Sequence, residues 1–401
     1  MSRDQQQRRP DRLLHTLSLE NLANDLNDVF GTMSTAVARL ALRLTQTMHC
    51  NLYLVRSNWC VQAKQVPGRN VTKKTALIFG ISGQDGAYLA HMLLSKGYHV
   101  HGASRDAEAL HFGNLTRLGI KNQVQLHSAS LSDFRSTLSI LTMVEPDEIY
   151  NLAGQSSVVL SFNQPVETFE SVTVGTLNIL ECIRYVKLPL RMFNAISSEC
   201  FGDTSEPANE ETAFRPCSPY GMAKSAAFWA VKTYRDAYGL RVCSGVLSNH
   251  ESPIRPERFV CRKIVATAVR IANGSGERLS LGNVSIQRDW GLASEYADAM
   301  WRILQQESIE DFIVATGETC TLGDLMDAAF ASVGLDVNDH VTIDESLLRP
   351  LDISVSRLDP RKAREKLGWE ARHKGRRLAE LLVKCEQENS IGPLPWIPSV
   401  S

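Results

Sequence analysis

The chain lacks the features that would remove it from the ordinary α/β enzymes. No run approaches the ~18 uninterrupted apolar residues that a membrane-spanning helix needs, so no membrane partner is expected. The formal net charge is −1, and no basic excess points to nucleic acid. Nine cysteines include no CxxC pair, which favours reduced thiols over a disulfide framework or a zinc site. Ten histidines include no HExxH, which argues against a metallohydrolase, and no metal is expected. What remains is a chain of 401 residues, 43% hydrophobic and 22% charged, enough for two domains or one large α/β unit.

Acid is also missing locally. From Val29 to Thr72 there is no Asp or Glu, while Arg39, Arg43, Arg56, Lys64 and Arg69 are present. Such a stretch is compatible with an organelle transit peptide. The simpler reading is a non-functional extension or a start codon placed too early, in a cytoplasmic protein. SRDQQQRRPDR at the beginning reads as disordered, and Leu17 to Met48 has helix-like apolar spacing. Residues 1–72 are therefore read as an extension, 73–250 as one domain and 251–401 as mainly a second lobe, with some segments returning to the first.

Residues 73–250 alternate strand and helix patterns. Strands are expected at Thr75–Phe79, Tyr98–Gly102, Val124–His127, Glu148–Leu152, Arg191–Ala195 and Leu240–Val246. Helices are expected from near Asp85, Asp133, Val166 and Pro219. This alternation predicts a parallel sheet covered on both faces. After residue 250 the pattern is irregular, with a strand-like Phe312–Ala315 and helices around Leu322–Val333 and Pro360–Leu367.

Gly80-Ile-Ser-Gly83-Gln84-Asp85-Gly86 follows the apolar run Ala76–Phe79 and opens a helix. Glycines there turn the chain sharply and let a pyrophosphate approach the backbone, while the helix N-terminus supplies N–H donors. The second strand ends in Ser104-Arg105, where an NAD site usually places an acid, so NADP is expected. Asp133, after the third strand, can accept from the adenine amino group or cap the next helix.

Tyr220 and Lys224 form a YxxxK pair, which shares a face on a helix. The ammonium can lower the phenol pKa and make Tyr220 a usable base. Ser197-Ser198-Glu199 precedes the pair and places a hydroxyl after a strand.

This combination resembles the extended short-chain dehydrogenase/reductase superfamily. GISGQDGAYLA, YNLAGQSSV, SSECFG, SPYGMAK, NHESPIRPERFVCRK and LGNVSIQRDWG resemble blocks of its GDP-mannose 4,6-dehydratase family, over about residues 73–390. The resemblance implies a doubly wound parallel-sheet Rossmann domain with a smaller α/β C-terminal substrate lobe, working as a homodimer or homotetramer. It implies a lyase that dehydrates GDP-mannose through internal hydride transfer, with Tyr220 taking the O4 proton and Glu199 the C5 proton. Ser197 would hydrogen-bond the O4 region, and Lys224 would orient the cofactor ribose. An epimerase or reductase of the same fold would not need Glu199, and a non-catalytic NADP scaffold would need none of these groups. Further cofactor contacts are implied from Gln84, Asp85, Leu152, Ala153, Asn249 and His250, and substrate contacts from Ser156, Asn249, Val260, Lys263, Arg288, Arg349 and Asp352. Gly154 stands where the family more often has Ala, and Ile196 and Val159 are bulky for a cofactor or sugar wall. The loop after Arg105 lacks a second adjacent Arg.

Arg105→Ala should weaken NADP binding more than NAD binding. Titration with both cofactors checks this, and equal losses would refute it.

Overall fold

The computed structural model describes residues 73–397. The expected helix within 17–48 and the transit-peptide reading of 1–72 lie outside the described residues. The chain opens on β1 (Thr75–Phe79), whose residues after Thr75 are all buried. A continuous apolar run is what a strand covered on both faces requires. Helix α1 (Gln84–Ser95) follows, then β2 (His99–Ser104) and β3 (Gln125–Ser128). Helix α2 (Phe134–Val144), β4 (Glu148–Asn151), α3 (Gly175–Val186) and β5 (Arg191–Ser197) continue the alternation. The last pair of this unit is α4 (Pro219–Tyr238) and β6 (Val242–Leu247).

With β10 (Phe312–Val314) these strands form a seven-stranded sheet in the order β10-β6-β5-β4-β1-β2-β3. Every pairing in it is parallel. The chain runs outward from β1 to β3 and then crosses back to β4, so β1 and β4 border the switch point of the sheet. In such sheets a ligand crevice opens there, beyond the carboxyl ends of the strands.

β5 extends past the expected Ala195 to Ser197, because Ser197 pairs with Leu247 of β6. That partner lies fifty residues away in sequence, and local pattern carries no trace of it.

The remaining segments are β7 (Asn249–Glu251), α5 (Val260–Ala272), β8 (Leu279–Leu281), β9 (Gln287–Leu292) and α6 (Ala293–Gln305). After β10 come β11 (Thr319–Thr321), α7 (Leu322–Ala331), β12 (Val341–Ile343), α8 (Arg361–Leu367) and α9 (Gly375–Gln387). The apparent irregularity after residue 250 is thus largely helical. The apolar stripe of α6 uses Ala293, Tyr296, Ala297, Met300, Ile303 and Leu304. Its helical spacing is present, but small alanines and a tyrosine disguise it.

α6 packs on α1 and joins the core built on Ala87, Leu89 and Leu93, together with Phe312 of β10 and Leu367 of α8. A second core gathers α5, α7 and α9 around Trp290. Burying each large apolar side chain in these cores contributes about 1.5–3 kcal/mol. Among the described residues no helix is long and apolar enough to cross a membrane.

The edge strand β10 is tied down by a bidentate pair. Arg235, at the end of α4, donates to Asp311 at 2.9 and 2.6 Å, and Asp311 also accepts from Ser244 N–H at 2.7 Å. Removing Asp311 takes the bidentate partner from the part-buried Arg235, which keeps the Val242 carbonyl, and leaves Ser244 N–H without its acceptor. Asp311→Ala should therefore cost about 2–3 kcal/mol, read as a lower denaturant midpoint with unchanged turnover by the folded fraction.

Candidate active site

A cleft of about 1800 Å³ opens at the carboxyl ends of β1, β4 and β5 and continues between the sheet and the C-terminal segments. One drug-sized ligand needs about 300–1,000 Å³, so this cleft has room for two side by side.

Its first arm lies over the switch point. Gly80 has φ +84°, and a Cβ there would sit 2.7 Å from the Leu152 backbone. Only glycine permits that turn so close to β4. Gly83 caps α1 without a side-chain cap, leaving the first-turn N–H groups available to a phosphate. Gln84 is held by donating to His250 O at 3.0 Å and accepting from Ser252 Oγ at 2.6 Å. Asp85 Oδ2 lies 3.1 Å from His250 Nε2, but the angle is not that of a hydrogen bond. Asp85 Oδ1 and His250 Nε2 are therefore buried polar atoms without hydrogen-bond partners on the cleft wall. Burial lowers and the nearby Asp85 raises the His250 pKa, with a net upward result. A glycine turn and a free helix N-terminus fit a dinucleotide pyrophosphate, whereas the Asp85 carboxylate suits a donor such as a hydroxyl rather than the phosphates.

Ser104, Arg105, Leu152 and Ala153 also line this arm. Arg105 is exposed and approaches Glu167 at 3.6 Å, a pair worth little in water. Two expected cofactor residues stand off the cleft. Asp133 caps α2 by accepting from Arg135 N–H at 2.9 Å. Gly86 is buried in α1, where a Cβ would meet Gly80 O at 2.5 Å, so it serves close packing.

The catalytic wall is built by β5 and α4. Ser197 ends β5, and its Oγ accepts from Glu199 N–H at 3.2 Å, starting a single 3₁₀ turn. Ser218 caps α4 by accepting from Gly221 N–H at 3.0 Å, and Pro219 occupies the first turn. A Cβ on Gly221 would lie 2.8 Å from Glu199 O, so glycine lets the helix press against the turn. Ser197, Glu199, Tyr220 and Lys224 are thereby brought to one wall.

Burial raises the Glu199 pKa, while Arg288 and Arg349 pull it down. Burial also pushes the Tyr220 phenol up, opposed by the neighbouring Ser197 hydroxyl. Lys224 lies on the same face of α4 as Tyr220, as the YxxxK spacing predicts, with its ammonium turned to β5. The Lys224 ammonium donates to Ala195 O at 2.7 Å and lies 5.8 Å from the Tyr220 ring centre. Burial lowers its own pKa to about 8.

The second arm carries Ser156, Asn249, Val260, Lys263, Arg288, Arg349 and Asp352. Lys263 donates to Ser280 O at 2.8 Å. Arg288, on β9, is buried 4.0 Å from Glu199 and 3.0 Å from Asp352. Neighbouring Asp289 points the other way and accepts from Ser248 and from Thr316 and Gly317 N–H. Gly154 has φ +120° and a Cβ there would meet Val172 at 2.8 Å, which accounts for glycine at this position. Ile196 and Val159 both line the cleft. Reading the sequence did not single out Glu167, Arg255, Arg258 or Asn283, which also line it. A local signal existed only for Arg255 and Arg258, which flank Phe259 with their guanidinium groups over its ring.

Lys224 loses its proton as the pH rises through about 8. If its charge is needed, turnover should decline above that pH, and Lys224→Arg should move the alkaline limb upward. A pH–rate profile checks this; an unmoved limb would refute it.

The fold and the matched sequence agree on ancestry. Over residues 77–382 the chain matches the family model described as GDP-mannose 4,6 dehydratase. It is 42% identical to GDP-mannose 4,6 dehydratase 1 of Arabidopsis thaliana, covering 79% of this chain and 90% of that protein. It is 37% identical to the Homo sapiens GDP-mannose 4,6 dehydratase, covering 79% and 92%. A dTDP-glucose 4,6-dehydratase structure from Bacillus anthracis, in complex with NAD, shares the fold with TM-score 0.69 at 16% identity, covering 79% of this chain and 97% of that one. A UDP-glucose 4-epimerase from Thermotoga maritima does so with TM-score 0.69 at 22% identity, covering 79% and 99%. The chain belongs to the GDP-mannose 4,6 dehydratase family, whose members are hydro-lyases.

Proposed function

We propose that this chain dehydrates GDP-mannose to its 4-keto-6-deoxy product, using NADP in the arm over β1 and β4. The observation that carries the reading is the buried Glu199 on one wall with Ser197, Tyr220 and Lys224. A hydride transfer alone has no use for that carboxylate.

Bound NADP supplies a reversible store for one hydride, so no net redox change results. Tyr220 takes the proton from the sugar O4, and Ser197 hydrogen-bonds the same oxygen. Ketone formation at C4 makes the C5 proton acidic. Glu199 removes that proton and returns one to the C6 hydroxyl, which leaves as water; the C5=C6 bond so formed would take back the stored hydride at C6 and the Tyr220 proton at C5. Burial suits it to this work, because raising the pKa of a carboxyl strengthens its carboxylate as a base. Lys224 would hold the cofactor ribose, and the Lys263, Arg288 and Arg349 cations would receive the substrate diphosphate. The choice of NADP over NAD is supported by Ser104 and Arg105 at the end of β2, with no acid on that strand end.

A homodimer is supported by the exposed apolar groups of α4. Met222 and Trp229, seven residues apart, share a face and are half exposed. Val166 and Val174, on the adjoining helical segments that pack against α4, are exposed as well. Apolar surface gathered in this way suits burial against a second copy. Trp229→Glu should shift the protein to monomer in sedimentation velocity, and a wild-type profile would refute this face.

Glu199→Gln keeps the shape and cannot take a proton. It should bind substrate and build up reduced-cofactor absorbance, while dehydration falls by about 10²–10⁴-fold. Tyr220→Phe should block even the first hydride transfer. Stopped-flow absorbance with mass analysis of the product separates the two, and dehydration by Glu199→Gln at the wild-type rate would remove Glu199 from the mechanism.

A further inference from the structure

Arg288 lies between two carboxylates, Glu199 of the proposed reaction and Asp352 of the substrate arm. Its Nε is 4.0 Å from Glu199 Oε1, beyond hydrogen-bond reach, and its Nη2 donates to Asp352 Oδ1 at 3.0 Å. The same Asp352 oxygen accepts from Arg349 Nη1 at 2.9 Å and from Ile353 N–H at 2.9 Å. Asp352 is thus braced by the backbone and by a second cation, whereas Glu199 is braced only through its own N–H on Ser197 Oγ. A guanidinium attracted to two carboxylates settles on the one that is better positioned to receive it. Arg288 is itself almost fully buried, so its attraction to either carboxylate is weakly screened.

We infer that Asp352 is a positioning residue for the dehydration step: by holding Arg288 away from Glu199, it keeps Glu199 basic enough to take the C5 proton. This rests on Glu199 being the acid/base group. Without Asp352, Arg288 would turn its free N–H groups to Glu199. A carboxylate hydrogen-bonded to a guanidinium is a poor base, because both charge and hydrogen bond favour its ionised form.

The charge count explains why the arrangement suits a diphosphate substrate. Glu199 and Asp352 carry two negative charges, and Arg288 and Arg349 carry two positive ones. A bound diphosphate draws on the same two guanidinium groups and relaxes their pull on Glu199 further. The base would then be strongest when substrate is in place.

The other groups facing Glu199 do not duplicate this role. Tyr220 faces it from α4 and Cys200 follows it in the same turn, and neither is a hydrogen-bond or ion-pair partner of Arg288. Asp203, just beyond that turn, raises the Glu199 pKa in the same direction as Asp352, but its Oδ1 is taken up by Ser354 and Val355 N–H. Besides the Gln287 carbonyl, which accepts from its Nη1 at 3.0 Å, Asp352 is the side chain that accepts a hydrogen bond from Arg288, and so it sets which carboxylate that cation faces.

The test is an infrared pH titration of the full chain. The Glu199 carboxyl band is identified as the one lost in Glu199→Gln, and its midpoint is compared among variants. The kcat–pH profile with GDP-mannose is measured in parallel. In Asp352→Asn the midpoint should fall, the acid limb of kcat should move to lower pH, and the plateau should drop. Asp352→Glu should recover part of each change. If Asp352→Asn does not fold, Arg349→Gln tests the same network, and its midpoint should rise because a cation facing Glu199 is gone. An unchanged Glu199 midpoint in Asp352→Asn, with a raised KM alone, would overturn the inference and leave Asp352 as a substrate contact. A midpoint that falls with an unchanged kcat profile would uphold the coupling and overturn Glu199 as the base.

Discussion

Between β1 and β4 the chain reverses its direction of travel across the sheet, and the crossovers on either side leave in opposite directions. No crossover can roof that seam, so a crevice remains at the carboxyl ends of the two strands. The phosphate turn at Gly80 and Gly83 falls at its mouth because it follows β1 directly. Ser197 and Glu199 fall beside it because β5 is the next strand beyond β4. The rest of the site depends on this placement. α4 must press against the Glu199 turn to present Tyr220 and Lys224, and β9 must cross in front to present Arg288.

The C-terminal segments complete the site without forming a separate body. α6 and α8 pack on the face of the first sheet, and β10 becomes its edge strand, pinned by Arg235 and Asp311. The segments between and after them, α5, α7 and α9, build a second core around Trp290. The substrate arm lies where these two packings meet, which is why its cations arrive from α5, β9 and a loop, far apart in sequence. A cleft formed in this way can hold a buried charge network, since neither side is a mobile surface loop alone.

Electrostatics inside the cleft follow from burial more than from pairing. Glu199 and Tyr220 are pushed toward their neutral forms, and Lys224 is pushed down to about 8, all with desolvation as the leading cause. Opposing charges then adjust each group. This is a setting in which small movements of a cation alter the basicity of its neighbour, because little water screens the change.

The sequence by itself determined everything carried by short spacing: the glycine turn after β1, the YxxxK pair sharing a helix face, the hydroxyl and carboxylate of Ser197 and Glu199, and the alternation that builds a parallel sheet. Those signals are local, set by the pitch of a helix or the turn after a strand. Tertiary structure alone decided the rest. Asp133 caps α2, one of the two roles its position offered, and Gly86 packs against the Gly80 carbonyl. The Lys224 ammonium went to Ala195 O, since β5 runs beneath that face of α4. Arg288 met Glu199 and Asp352 only once β9 had paired beside β7, and that pairing joins residues some forty positions apart. No periodicity in a single chain records such meetings, because they arise from which strands lie side by side rather than from the order of the residues within them.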